Sequence, residues 1–205
     1  MLAIIDYGVG NLFSLSCSLR SLGVEVAVTG EEDVLAAADR IILPGVGAYA
    51  DAAEALRRTG LDRAVLREAE AGKPLLGICL GMQLLFDYST EYGRHDGLGL
   101  IPGAVRPIRN VVPPEYKVPH MGWNALRFPK GRPVSPLFRY IREGECVYFV
   151  HSFHGTDCGE NTIATAEYGS ELTAAVSRDN VCGVQFHPEK SGTVGLNILQ
   201  AFCEL

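Results

Sequence analysis

The run Leu75-Leu76-Gly77-Ile78-Cys79-Leu80-Gly81-Met82-Gln83-Leu84-Leu85-Phe86 holds more structural information than any other stretch of this chain. Gly72 and Pro74 end whatever precedes it. Leu75–Ile78 is then a short apolar run with no polar alternation, the pattern of a strand covered on both faces. A helix from about Gly81 to Phe86 follows at once. A strand that feeds a helix through a tight, glycine-flanked turn lifts the residue at the turn to the carboxyl edge of a sheet, where open α/β sheets place their ligands. Here that residue is Cys79.

The same alternation extends outward toward the N-terminus. Leu2–Asp6 reads as a strand, and residues 11–22 place Leu12, Leu15, Leu19 and Leu22 on one helical face closed by Gly23. Val24–Val28 reads as a strand, Val34–Ala38 as a short helix, Arg40–Leu43 as a strand ending at Pro44, and residues 49–59 and 61–71 as two helices. Apolar strands alternating with helices predict an α/β fold: three layers, with a mostly parallel central sheet and helices on both faces. Past about residue 95 the texture changes, as Gly97, Gly99, Pro102, Gly103, Pro107, Pro113, Pro114 and Pro119 crowd the sequence. Strands are predicted at 146–150, 162–168, 172–177 and 181–186, giving a smaller antiparallel β region in the second half. Arg178-Asp179-Asn180 turns between the last two, and a helix over 191–203 closes the chain. No linker or repeat interrupts it, so a single domain over residues 1–205 is expected.

Composition narrows the function. With 205 residues the chain buries a core without help from disulfides or metals. A net charge of -6 argues against nucleic acid or an anionic membrane as the partner. No uncharged stretch approaches the roughly 20 residues of a membrane span. Met1–Ile5 is stopped by Asp6 without a basic leader, and the six cysteines form no CxxC pair, so free thiols in the cytoplasm are expected.

A thiol at a strand–turn–helix elbow needs a base to become a nucleophile. Of five histidines, His187 stands at the end of the strand over 181–186, and Pro188 holds it extended. Glu189, two residues on, can accept the second imidazole N–H and fix the tautomer. A Cys79–His187–Glu189 triad follows. Its oxyanion needs two donors: the Leu80 N–H is one, and Gly47, in the Pro44-Gly45-Val46-Gly47 loop after the third strand, offers the other. His151 and His154 near Cys158 lack the closed ligand set of a structural zinc site, so no metal is expected. Gly8-Val9-Gly10 lacks the third glycine and the ribose-binding acid of a dinucleotide site, and no cofactor is expected.

These residues together resemble the class I (triad-type) glutamine amidotransferases. Within that class, Asp6-Tyr7-Gly8-Val9-Gly10-Asn11-Leu12, the Pro44–Gly47 loop, Gly77–Gln83, Pro119-His120-Met121-Gly122-Trp123-Asn124, Tyr148–Phe153 and His187-Pro188-Glu189-Lys190-Ser191 resemble the glutaminase subunits of imidazole glycerol phosphate synthases. The resemblance covers essentially the whole chain. It implies glutamine as substrate and a thioester on Cys79. It also implies a cyclase partner with a (β/α)8-barrel fold, forming a heterodimer and receiving the ammonia for histidine biosynthesis. It further implies that Gln83 and the His151-Ser152-Phe153 backbone grip glutamine, and that Asn11, Met121, Trp123, Asn124 and Lys190 face the cyclase. His154 departs from the pattern, which favours an aromatic residue there. Two other readings stand beside this one. One is the glutaminase of another synthase, such as pyridoxal phosphate synthase, whose oxyanion loop typically pairs two glycines with an acidic residue and serine. The other is a regulatory subunit without catalysis, against which the intact triad speaks.

Overall fold

A computed structural model describes residues 1–205. The chain runs β1 (Leu2–Ile5), α1 (Leu12–Ser21), β2 (Val26–Thr29), α2 (Glu32–Ala37), β3 (Arg40–Leu43), α3 (Tyr49–Thr59) and α4 (Leu61–Glu70). Then come β4 (Leu75–Ile78), α5 (Leu80–Leu84), β5 (Phe86–Ser89), β6 (His95–Asp96), β7 (Ile101–Pro107) and β8 (His120–Arg127). The last part comprises β9 (Cys146–His151), β10 (Phe153–Thr156), β11 (Thr162–Glu167), β12 (Glu171–Arg178), β13 (Val181–Val184) and α6 (Gly192–Cys203).

Nine strands form one sheet in the order β2-β1-β3-β4-β13-β12-β11-β8-β9. The first five are mutually parallel, and from β13 onward each neighbour is antiparallel. The antiparallel half is therefore continuous with the parallel half, not a separate unit. A second sheet, β10-β7-β5-β6, lies beside it. Side chains of β1 sort by the two-residue period of a strand. Ala3 and Ile5 join a core with Leu35, Leu56, Val65 and Met82 of α2 to α5, and Leu2 and Ile4 join one with Leu15 of α1 and Leu199 and Phe202 of α6. The sheet is thus covered on both faces, and Phe86, Ile101 and Val105 of the second sheet extend the first of these cores.

Three expectations need correction. The helix predicted from Gly81 to Phe86 is shorter and earlier, Leu80–Leu84, and Phe86 already opens β5. Its leucines pack on all sides, so apolar periodicity gave no boundary. The Gly/Pro-rich stretch, where no strand was predicted, contains β7, with Pro102, Gly103 and Pro107 inside it. Pairing of β7 with β10 and β5 overrides its local turn chemistry. Met121 and Trp123 sit on an eight-residue strand, β8, where no strand was predicted. By contrast, β3 and β4 fall where predicted, and Asp179 adopts φ 51 in the turn between β12 and β13.

Candidate active site

Parallel pairing brings the two distant motifs together. Ile78 of β4 is in register with Val184 of β13, so both chains leave the sheet at the same edge. The Cys79 N–H donates to the Val184 carbonyl at 2.8 Å, which fixes the turn. Cys79 itself has φ 54 and ψ -111, a conformation that L residues rarely adopt and that the surrounding structure must enforce. The enforcement is visible in its flanking glycines. A Cβ on Gly77 would meet the Gly81 carbonyl oxygen at 2.7 Å, and one on Gly81 would overlap the Leu43 carbonyl. The elbow packs directly against the end of β3, and no side chain larger than hydrogen fits at either position.

Past β13 the chain extends through Gln185 and Phe186 to His187, whose N–H donates to the Tyr148 carbonyl of β9 at 2.9 Å. Ser191 Oγ donates to the His187 carbonyl at 2.6 Å and accepts from the Tyr148 N–H at 3.0 Å. The imidazole is thereby held from behind. Its Nδ1 lies 2.8 Å from Glu189 Oε1, and both side chains are almost wholly buried, at 3% and 2% exposure. A carboxylate only accepts, so Nδ1 carries the hydrogen and Nε2 is the nitrogen left for the thiol. Burial alone would depress the His187 pKa. Hydrogen bonds and charge from Cys79 and Glu189 overcome this and raise it to about 9.

Cys79 and His187 open into a cleft of about 330 Å³, also lined by Val46, Gly47, Leu80, Gln83, Glu91, Val150 and the His151-Ser152-Phe153 segment. A larger surface groove of about 750 Å³, around Arg127, Lys130 and Arg132, lies away from all of these residues. Gly47, at φ 98, stands on the loop after β3, and the Tyr7 hydroxyl anchors that loop by donating to the Pro44 carbonyl at 2.7 Å. Burial and the neighbouring Cys79 sulfur push the Tyr7 pKa well above its usual value, so Tyr7 remains a donor. Leu80 opens α5, whose first N–H groups have no partner within the helix. With only five residues, α5 has a weak dipole to offer the sulfur.

Behind the cleft lies a buried imidazole chain. His151 Nδ1 is 2.8 Å from the Phe153 carbonyl and its Nε2 is 3.0 Å from His120 Nδ1. His120 Nε2 is 2.7 Å from Asn124 Oδ1, and Asn124 Nδ2 donates to the Glu167 carbonyl at 2.8 Å. Burial lowers the His151 pKa to about 3 and also lowers that of His120. Asn124, expected to face a partner, is half-buried, its amide engaged by His120 and Glu167. Met121 and Trp123 do face outward, 60% and 55% exposed, near Tyr148, over whose ring Lys190 Nζ sits at 6.0 Å. Asn11 reaches the triad directly, as its Nδ2 donates to Glu189 Oε1 at 3.4 Å.

Glu91 was not foreseen. It lies beyond β5 in a stretch without periodicity, yet it supplies the cleft's only carboxylate outside the triad, held where its Oε2 accepts from the Tyr49 N–H at 2.9 Å. Only its acidic character near the motif could have flagged it. Gln83 is 5% exposed and gives Nε2 to the Phe153 carbonyl at 3.1 Å and to Gln185 Oε1 at 3.0 Å, which leaves only its own Oε1 for a ligand.

The sequence model of glutamine amidotransferase class-I matches residues 3–204. The chain is 49% identical to the imidazole glycerol phosphate synthase subunit HisH of Geobacillus thermodenitrificans, over 98% of this chain and 94% of that protein. It is 47% identical to the HisH subunit of Wolinella succinogenes, over 100% of both. Among solved structures it resembles PurLQS from Thermotoga maritima, with a TM-score of 0.76 at 24% identity over 99% of this chain and 97% of that one. A crystal structure of a glutamine amidotransferase superposes with a TM-score of 0.75 at 20% identity, covering 98% of this chain and 97% of the other. These two likenesses speak to the fold.

Proposed function

The chain belongs to the class-I glutamine amidotransferase family, and from that premise we propose how it acts as the glutaminase subunit of an imidazole glycerol phosphate synthase. Glutamine is hydrolysed to glutamate and ammonia, and the ammonia goes to a cyclase subunit that makes imidazole glycerol phosphate and an aminoimidazole carboxamide ribotide for histidine biosynthesis. The observation that carries the assignment of roles is the buried 2.8 Å contact of His187 with Glu189 beside the strained Cys79 turn.

His187 Nε2 takes the thiol proton, and Cys79 Sγ attacks the side-chain amide carbon of glutamine. The carbonyl oxygen becomes an oxyanion held by the Gly47 and Leu80 N–H groups. His187 passes its proton to the departing nitrogen, ammonia leaves, and a thioester remains. His187 then removes a proton from water as it attacks the thioester, and Cys79 departs with glutamate released. Glu189 holds the imidazole in the required tautomer throughout. Glu91 is placed for the substrate's α-ammonium, with Gln83 Oε1 and the backbone of His151, Ser152 and Phe153 on the remaining polar groups. Asn11, Met121, Trp123, Asn124 and Lys190 mark the face toward the cyclase, with Asn124 acting through the shape of β8. The cyclase is read as a (β/α)8-barrel, the complex as a heterodimer in the cytoplasm, and residues 1–205 as one glutamine amidotransferase domain.

The test is Cys79→Ala in the reconstituted synthase. Glutamine-dependent synthesis should vanish, while synthesis from added ammonium salt continues. Loss of both would make Cys79 a structural residue.

A further inference from the structure

Cys79 has a second polar neighbour that the triad leaves out. Gln185 follows β13 directly, is 0% exposed, and is pinned to β12 by its N–H donating to the Ala174 carbonyl at 2.8 Å. Its Nε2 points at Cys79 Sγ at 3.8 Å, within reach for a sulfur acceptor. Its Oε1 accepts from Gln83 Nε2 at 3.0 Å, and the same Gln83 nitrogen donates to the Phe153 carbonyl at 3.1 Å. Neither amide is free to turn over. Rotating Gln83 would press its oxygen against two other oxygens. Rotating Gln185 would set N–H against N–H and its oxygen against the sulfur. The clamp has one satisfied arrangement, and in it the sulfur receives an N–H.

We infer that Gln185 is a further catalytic residue of the glutaminase, donating its Nε2 hydrogen to Cys79 Sγ, with Gln83 as the positioning residue that locks its amide. This rests on the reading of Cys79 as the nucleophile. A thiol sulfur is a poor acceptor and a thiolate a good one, so a fixed donor in a buried setting shifts the balance toward the thiolate. It supplies at the sulfur what the short α5 does not. The same donor assists when the sulfur departs as thiolate from the thioester.

The experiment measures iodoacetamide alkylation of the whole chain against pH, read by mass spectrometry on the peptide carrying Cys79, because Cys17 and Cys146 are more exposed than Cys79 and react too. Gln185→Met keeps the side-chain length and removes the donor. Its profile should move to higher pH by about one unit, as expected for losing one hydrogen bond to a charged atom. A profile superimposable on that of the unaltered chain, with the melting temperature retained, overturns the inference. Should Gln185→Met fail to fold, Gln185→Glu keeps the shape, and Gln83 can still donate to it. A carboxylate beside the sulfur must then slow alkylation at neutral pH, and an equal or faster rate overturns the inference. If Cys79→Ala retains glutamine-dependent activity, the nucleophile assignment itself falls. If that variant is dead while the Gln185 profiles are unmoved, only the role of Gln185 falls.

Discussion

His154 and His187 show how one residue type can be given opposite duties by its surroundings. His154, on β10, is 6% exposed, and neither ring nitrogen has a partner. Burial lowers its pKa to about 4, so it sits in the core as a neutral ring with two unsatisfied polar atoms. Replacing it by the aromatic residue that the family resemblance favours removes that penalty. His154→Phe should stabilise the chain by about 1–2 kcal/mol, read as a higher urea midpoint with unchanged slope. His187 is held the other way, its pKa raised to about 9. Departing ammonia needs the imidazolium proton, so glutaminase activity should fall on an alkaline limb near pH 9. Glu189→Gln should move that limb to lower pH and cut kcat by at least about tenfold, because the carboxylate both orients and charges the ring. An unmoved limb in Glu189→Gln would show that another group sets it.

Among the elements, the contact between the elbow and β3 matters most. Gly81 lies against the Leu43 carbonyl with no room for a methyl group, and that carbonyl ends the strand from which the Pro44–Gly47 loop departs. Gly81→Ala must therefore push α5 and β3 apart. The cost should reach or exceed the about 1–3 kcal/mol typical of overpacking, and activity should fall further than stability because sulfur and oxyanion loop separate together. Thermal melts compared with kcat will separate the two effects. The motifs flanking this contact were legible in the sequence because apolar runs and glycine spacing encode them locally. Glu91 and Gln185 were not, because their importance arises only when β5 and β13 are laid beside the cleft. The strands β7 and β8 escaped for a related reason: Pro102, Gly103 and Pro107 in β7, and Gly122 of β8 just after Pro119, signal turns, and only long-range pairing makes them sheet.

For the molecule as a whole, the buried histidines set a pH window. His151, at about 3, and His154, at about 4, exclude the proton that an unfolded imidazole takes up near 6.5. Their contribution to stability is complete above about pH 6.5 and is lost as pH falls toward those lower values. His187 acts in the opposite sense, contributing fully below about 6.5 and losing its contribution as pH rises through about 9. Urea midpoints should thus peak near neutrality and decline on both sides, and His154→Phe should flatten the acid side. Function also spans the molecule. Asn11 donates to Glu189, so a cyclase seated over Asn11, as proposed above, would bear on the triad. The isolated chain should hydrolyse glutamine slowly, and adding the cyclase with its nucleotide substrate should raise the rate strongly. Full activity of the lone subunit would remove that coupling. The alternation as far as β4 and the triad motifs were readable from the sequence, but how the two halves join was not, because that depends on which strand becomes the neighbour of β4.

That neighbour is β13, translated after β12 and inserted between β4 and β12 at the centre of the large sheet. A ribosome making this protein completes Cys79 about a hundred codons before it delivers the imidazole. Until β13 emerges, β4 and β12 lack the neighbour that joins them, and Cys79 has no imidazole. Late insertion of this kind makes assembly slow and exposes unpaired edges to other chains. It also means that a chain ending before His187 has no base with which to release ammonia.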